Sequence, residues 1–124
     1  MDKMIYVVED NDDIRELVEY IIECEGLQVK SFANATTFKQ HIQNSLPDLF
    51  VLDIMLPDGN GVEICAGLKQ SQATQHIPVL LMSANTNITY QGKENDADDF
   101  ISKPFDIDDL VARVKRLLQL SVLS

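Results

Sequence analysis

Four short strand-like runs in this 124-residue chain end on residues able to do chemistry. Met4 to Val8 delivers Glu9 and Asp10, Leu49 to Leu52 delivers Asp53, Pro78 to Met82 delivers Ser83, and Asp98 to Ser102 delivers Lys103. Three carboxylates brought within a few ångströms repel and raise one another's pKa. A hard divalent cation with oxygen ligands relieves that conflict, and Mg²⁺ usually keeps waters while taking one or two carboxylates. An aspartate beside Mg²⁺, with a lysine and a hydroxyl opposite, is suited to accept a phosphoryl group, because carboxylates form aspartyl-phosphate intermediates. Positioning and charge neutralisation supply most of the catalysis in such a transfer. Mg²⁺ would hold one phosphoryl oxygen, Lys103 another and the Ser83 hydroxyl a third. Asp12 and Asp13 have a plainer use at the start of a helix. Helix capping does not account for Glu9, Asp10 and Asp53, which follow strands.

The elements that must bring these residues together follow from hydrophobic periodicity. Met4 to Val8 is a continuous apolar run, as expected of a buried strand. Ile14, Leu17, Val18, Ile21 and Ile22 recur at helical spacing after Asn11-Asp12-Asp13, and Gly26 is the stop. Val29 and Phe32 mark an alternating strand; Ala35, Phe38 and Ile42 mark a helix closed by Leu46-Pro47. Leu49 to Leu52 is a second buried strand. The Pro57-Asp58-Gly59-Asn60-Gly61 cluster is a turn, followed by a helix through Val62, Cys65 and Leu68. A strand over Pro78 to Met82, a weakly helical polar stretch over Thr86 to Asp96 and a strand over Asp98 to Ser102 come next. In the last helix Ile107, Leu110, Val111, Val114, Leu117 and Leu118 share one face. The βα alternation repeats five times, which implies a parallel sheet covered on both faces. The expected fold is α/β, a flavodoxin-like (βα)5 doubly wound sheet in the order 2-1-3-4-5. Ligands of such sheets bind beyond the carboxyl ends of the strands, where Glu9, Asp10, Asp53, Ser83 and Lys103 converge.

Composition narrows the function classes. A chain this long suits one domain, here residues 1–124. With 45% hydrophobic residues it can bury a core without staples. Cys24 and Cys65 are too few and too far apart for a metal site or a disulfide framework, and are expected to be buried thiols. No apolar run approaches a membrane span of ~20 residues, and the N-terminus turns acidic too soon for a signal peptide. A cytoplasmic location is the expectation. Twenty acids against ten bases, a net charge of −10, make direct nucleic-acid binding by this domain unfavourable. Nine of the acids lie in the first 25 residues and seven between Glu94 and Asp109.

Val-Val-Glu-Asp-Asn at 7–11, Leu-Asp-Ile-Met-Leu-Pro-Asp-Gly-Asn-Gly at 52–61, Met-Ser-Ala at 82–84 and Ser-Lys-Pro-Phe at 102–105 occur in order. With these motifs the chain resembles, over its whole length, a response-regulator receiver domain of two-component signalling. The resemblance implies that Asp53 is the phosphorylated residue and that Glu9 and Asp10 are metal acids. It implies that the Met55 backbone carbonyl completes the Mg²⁺ site, that Ser83 is the switch hydroxyl and that Lys103 is the phosphoryl partner. Lys103–Pro104 is expected to be cis. The implied partner is a sensor histidine kinase or a phosphotransfer protein. The implied output is a switch of the face formed by the fourth helix, fifth strand and last helix. The Ala-Asp-Asp-Phe and Leu-Val-Ala-Arg-Val segments resemble the winged-helix regulator subfamily. Both a stand-alone receiver and the N-terminal part of a longer regulator are open.

The chain departs from the family pattern in two places. Phe100 stands where the switch ring is most often Tyr; it can still exchange rotamers but has no hydroxyl to bond. The interval from Ser83 to Lys103 is shorter than usual, with Asp96 in place of a common Gly, so a short or irregular fourth helix is expected. Arg113, Lys115 and Arg116 concentrate bases on the last helix, either complementing its C-terminus or pairing with Asp98 or Asp99 across a homodimer. Glu16, Glu19 and Glu23 form an acidic stripe, and His41 and His76 are expected at the surface. A Mg²⁺-dependent phosphohydrolase with an aspartate nucleophile is the rival from enzymology; of the haloacid-dehalogenase type, it needs a second acid two residues on, where Met55 stands. A flavin-binding domain would want neutral donors, not Glu9 and Asp10, after the first strand. A non-phosphorylated receiver-like interaction module would have no use for all five site residues.

Overall fold

Apolar strands of β-branched and aromatic residues form the centre of the molecule. β1 (Met4–Val8), β2 (Gln28–Phe32), β3 (Leu49–Asp53), β4 (Val79–Ser83) and β5 (Asp99–Ser102) make one sheet. Every pairing in it is parallel, and the order is β2-β1-β3-β4-β5. This is the doubly wound order expected from the sequence. The structure is a computed structural model that describes residues 3–84 and 97–123. The stretch from Thr86 to Asp96, read from sequence as weakly helical, lies outside the described residues.

Alternation along the strands sends side chains to two cores. Ile5, Val7, Val51, Leu80 and Met82 pack with α1 (Asp12–Cys24) and the last helix (Ile107–Leu123), through Val18, Ile22, Leu110, Val114 and Leu117. Tyr6, Val8, Phe50, Leu52 and Leu81 pack against α2 (Ala35–Ile42) and α3 (Gly61–Gln70), through Phe38, Ile64, Cys65 and Leu68. All residues of β3 and β4 are buried, so their continuous apolar runs reflect cover on both faces. β2 lies at an edge and exposes Gln28 and Lys30.

The helix boundaries have local causes. Asn11 caps α1, its Oδ1 accepting from the Ile14 N–H at 3.0 Å, while Asp12 pairs with Arg15 inside the first turn at 2.6 Å. Gly26 ends the helix in the left-handed conformation, φ 78°, which suits glycine. The Lys103–Pro104 peptide bond is cis, as expected.

Two sequence expectations need correction. Cys24 is exposed near the end of α1; only Cys65 is a buried thiol. Helical periodicity places Cys24 three residues after Ile21 but does not say how far the covering layer reaches. His41 is half-buried rather than on the surface, its Nε2 lying 3.1 Å from the Tyr6 hydroxyl and its ring against Phe32. The bases of the last helix find partners within the chain. Arg113 bonds Asp99 at 2.6 Å and Asp109 at 2.9 Å, Arg116 also pairs with Asp99, and Lys115 reaches Glu25 at 2.7 Å. Asp98 is taken by Lys69 at 2.8 Å.

Candidate phosphoryl and metal site

The carboxyl ends of β1, β3, β4 and β5 meet at one edge of the sheet. The Glu9 N–H donates to the Phe32 carbonyl at 3.0 Å, which continues the β1–β2 ladder and turns the Glu9 side chain into the fold. Asp53 closes β3, and both acids are buried, at 0% and 5% exposure, while Asp10 stays in solvent. The three carboxylates each offer an oxygen within 4.8 Å of the others.

Lys103 enters this group from beyond β5, positioned by its own N–H, which donates to the Ser83 carbonyl at 2.8 Å. Its Nζ lies 2.5 Å from Glu9 Oε1 and 3.3 Å from Asp53 Oδ2. Glu9 Oε2 accepts from the Asn11 N–H at 3.1 Å, and the Arg15 guanidinium donates to the Glu9 carbonyl at 3.0 Å. Glu9 Oε1 is engaged by the Lys103 ammonium and Oε2 by the Asn11 N–H, so both of its oxygens are answered inside the fold. Burial raises the Glu9 pKa, with the Asp53 charge adding to the rise; Lys103 and the Asn11 N–H work against it. One ammonium thus faces three carboxylates.

These residues fit a hard divalent cation. All the side-chain donors are carboxylate oxygens, Glu9 and Asp53 are buried beside a single ammonium among the described residues, and Asp10 opens the cluster to solvent. Ser83 is buried at the end of β4, paired in register with Ser102. Met55 points its side chain outward, 73% exposed, while its N–H lies 3.4 Å from Asp53 Oδ1. Phe100 is half-buried on β5, packed against the core under α2 and α3, and its carbonyl accepts from Arg113 at 2.7 Å.

Sequence reading missed two residues of the adjoining loop. A Cβ on Gly61 would fall 2.4 Å from the Asp53 carbonyl oxygen, so only glycine lets the loop fold back onto the end of β3. The Gly61 N–H then donates to the Ile54 carbonyl at 2.8 Å. Asp58 does more than turn the chain: its carboxylate reaches the first turn of α2, accepting from the Ala35 N–H at 2.7 Å and the Thr36 N–H at 2.9 Å. The density of turn formers flagged the loop, but nothing local in sequence names α2 as its partner.

Comparison with known proteins agrees with this geometry. The family model described as the response regulator receiver domain matches residues 5–115. The chain is 36% identical over 117 residues to the phosphate regulon transcriptional regulatory protein PhoB of Rhizobium meliloti (strain 1021), covering 93% of this chain and 52% of that protein. Its counterpart in Escherichia coli (strain K12) is 36% identical over 121 residues, covering 96% and 53%. The chain thus spans about half the length of the curated relatives it matches. Among solved structures, a putative response regulator from Chloroflexus aurantiacus superposes with a TM-score of 0.90 at 29% identity, over 96% of this chain and 99% of that one. The BeF3-activated DrrB receiver domain superposes at 0.84 with 33% identity, over 96% and 99%. Four motifs in order, a 2-1-3-4-5 parallel sheet and an acid cluster at its carboxyl edge coincide with a family match along most of the sequence: the chain belongs to the response regulator receiver domains of two-component systems.

Proposed function

We propose that this receiver takes a phosphoryl group onto Asp53 from a sensor histidine kinase or phosphotransfer protein in the cytoplasm. The observation that carries the reading is the convergence of Glu9, Asp10 and Asp53 within 4.8 Å, with Lys103 reaching both buried acids. A carboxylate oxygen of Asp53 forms the bond to phosphorus, the P–N bond of a phosphohistidine breaks, and the electron pair leaves with the imidazole. Glu9, Asp10 and Asp53, with the Met55 backbone carbonyl, would hold Mg²⁺, which would neutralise charge on the phosphoryl oxygens. Lys103 exchanges part of its pairing with Glu9 and Asp53 for a phosphoryl oxygen, and the Ser83 hydroxyl turns to another. Phosphorylation adds a charge near −2 with new hydrogen-bond demands, which can bias a two-state loop.

Through Ser83 and Phe100 that bias would reach β5 and the last helix, which belong to the proposed output face. PhoB relatives of about twice this length are transcriptional regulators; by analogy, an effector domain reads this face and binds DNA while the receiver itself does not. Incubation with Mg²⁺ and acetyl phosphate should add about 80 Da, the mass of an HPO₃ unit on a carboxylate. Asp53→Asn, or chelation of the metal, should abolish the gain. An unmodified wild type, or an unchanged gain in Asp53→Asn, would overturn the reading.

A further inference from the structure

The loop between β3 and α3 has little burial to hold it. From Met55 to Asn60 every residue is exposed except half-buried Leu56. Its base is closed by the Gly61–Ile54 hydrogen bond and by two residue pairs, Met55 with Asn60 and Leu56 with Gly59. Its tip is tied to α2. Asp58 Oδ1 accepts from the Ala35 N–H at 2.7 Å, and Oδ2 accepts from the Thr36 N–H at 2.9 Å and the Thr36 hydroxyl at 2.5 Å. Gly59 lies so close to α2 that a Cβ on it would sit 3.1 Å from that of Ala35.

The other end of that tie is firm. Ala35 and Phe38 are buried at 1% and 0% exposure, and α2 has its own cap, Asn34, whose Oδ1 accepts from the Thr37 N–H at 2.9 Å. The helix is therefore the fixed body and the loop the part that is held. At the near end of the loop, the Met55 peptide faces Asp53.

We infer that Asp58 is a positioning residue for the metal and phosphoryl site: by lashing the loop to the first turn of α2, it holds the Met55 peptide beside Asp53. This rests on the receiver chemistry proposed above, since the Met55 carbonyl matters only if Asp53 shares a cation with it. Residues that orient a metal's ligands typically cost about 10–100-fold in affinity when removed.

The test compares two caps of one helix. Asp58→Ala and Asn34→Ala each remove a cap from α2, but only the first releases the loop. Mn²⁺ binding followed by electron paramagnetic resonance, and Mg²⁺ binding by calorimetry, should weaken about tenfold in Asp58→Ala and stay near wild type in Asn34→Ala. Asp58→Asn, which keeps one acceptor oxygen, should fall between. In metal-free protein, backbone amide exchange over 54–60 should rise in Asp58→Ala alone. Acetyl phosphate labelling of that variant should recover at saturating Mg²⁺, the mark of lost affinity rather than lost chemistry. Wild-type affinity in Asp58→Ala, or equal loss in Asn34→Ala, overturns the inference and leaves the proposed function standing. A wild type that binds no divalent cation overturns both.

Discussion

β5 carries a charged cluster at each end, and the two are built on different arithmetic. At its start, Asp99 meets Arg113 and Arg116, and Asp109 completes the group, so two acids face two guanidiniums. The Phe100 N–H and carbonyl are also engaged there, by Asp99 and Arg113. Just past its other end, Lys103 is the one cation among the described residues that pairs with the Glu9 and Asp53 side chains, with Asp10 close by. The balanced cluster fastens the strand to the last helix. The unbalanced one leaves more carboxylates than cations among the described residues, a surplus that a divalent cation would relieve. Opposite charges brought together are therefore not a single kind of feature, and the surplus marks the place where a ligand belongs.

The largest test of that contrast is removal of the lone cation. Lys103→Met leaves two buried acids without their ammonium and should cost about 3 kcal/mol in metal-free urea denaturation, the range for breaking a buried pair. Added Mg²⁺ should then raise the variant's midpoint more than that of wild type, because bound ligand stabilises the folded state by mass action. Equal responses to Mg²⁺ would argue against a shared cation site.

A smaller effect separates the two clusters by sign. Asp99→Asn should destabilise by about 1 kcal/mol, since it strips a charged acceptor from the half-buried Arg113, while the exposed Arg116 is compensated by water. Glu9→Gln should raise the metal-free midpoint at about pH 7, because burial disfavours the ionised Glu9 in the folded protein. Two shifts of the same sign in urea melts would sink the distinction between a staple and a frustrated site.

The smallest effect concerns Asp58. Its pKa lies below the usual 3.8, held down by the Thr36 hydroxyl first and then by the Ala35 N–H. The folded state thus binds this proton less tightly than the unfolded chain does. Its contribution is complete above 3.8 and drains away as pH falls through the folded value. The stability gap between wild type and Asp58→Asn should be present at about pH 7 and shrink as pH falls below 3.8; a gap that widens in acid would contradict the hydrogen bonds assigned to this carboxylate.

Much of the fold and the site was legible because both rest on local pattern. β3 and β4 are buried on both faces, so they appear as unbroken apolar runs, and the first polar residue after each lands at the carboxyl edge. Asp53 and Ser83 could be found that way, as could Glu9 and Lys103. Asp58 could not, because its partners lie 22 and 23 residues back and belong to another element. Gly61 belonged to a turn cluster, but its closeness to the Asp53 carbonyl appears only when the loop folds back. The meeting of Arg113 and Arg116 on Asp99 was equally hidden, because it joins β5 to the last helix across 14 and 17 residues of sequence.

The sequence by itself determined the order of elements, the doubly wound sheet and the list of acids, base and hydroxyl at its carboxyl edge. Periodicity of two or 3.6 residues is a property of neighbours along the chain, and it suffices to say which element a residue ends. Tertiary structure alone decided which charges meet, because ion pairs and hydrogen bonds form between atoms a few ångströms apart whatever their separation in sequence. It left Lys103 outnumbered at one end of β5 and Asp99 matched at the other, and it gave Asp58 to α2.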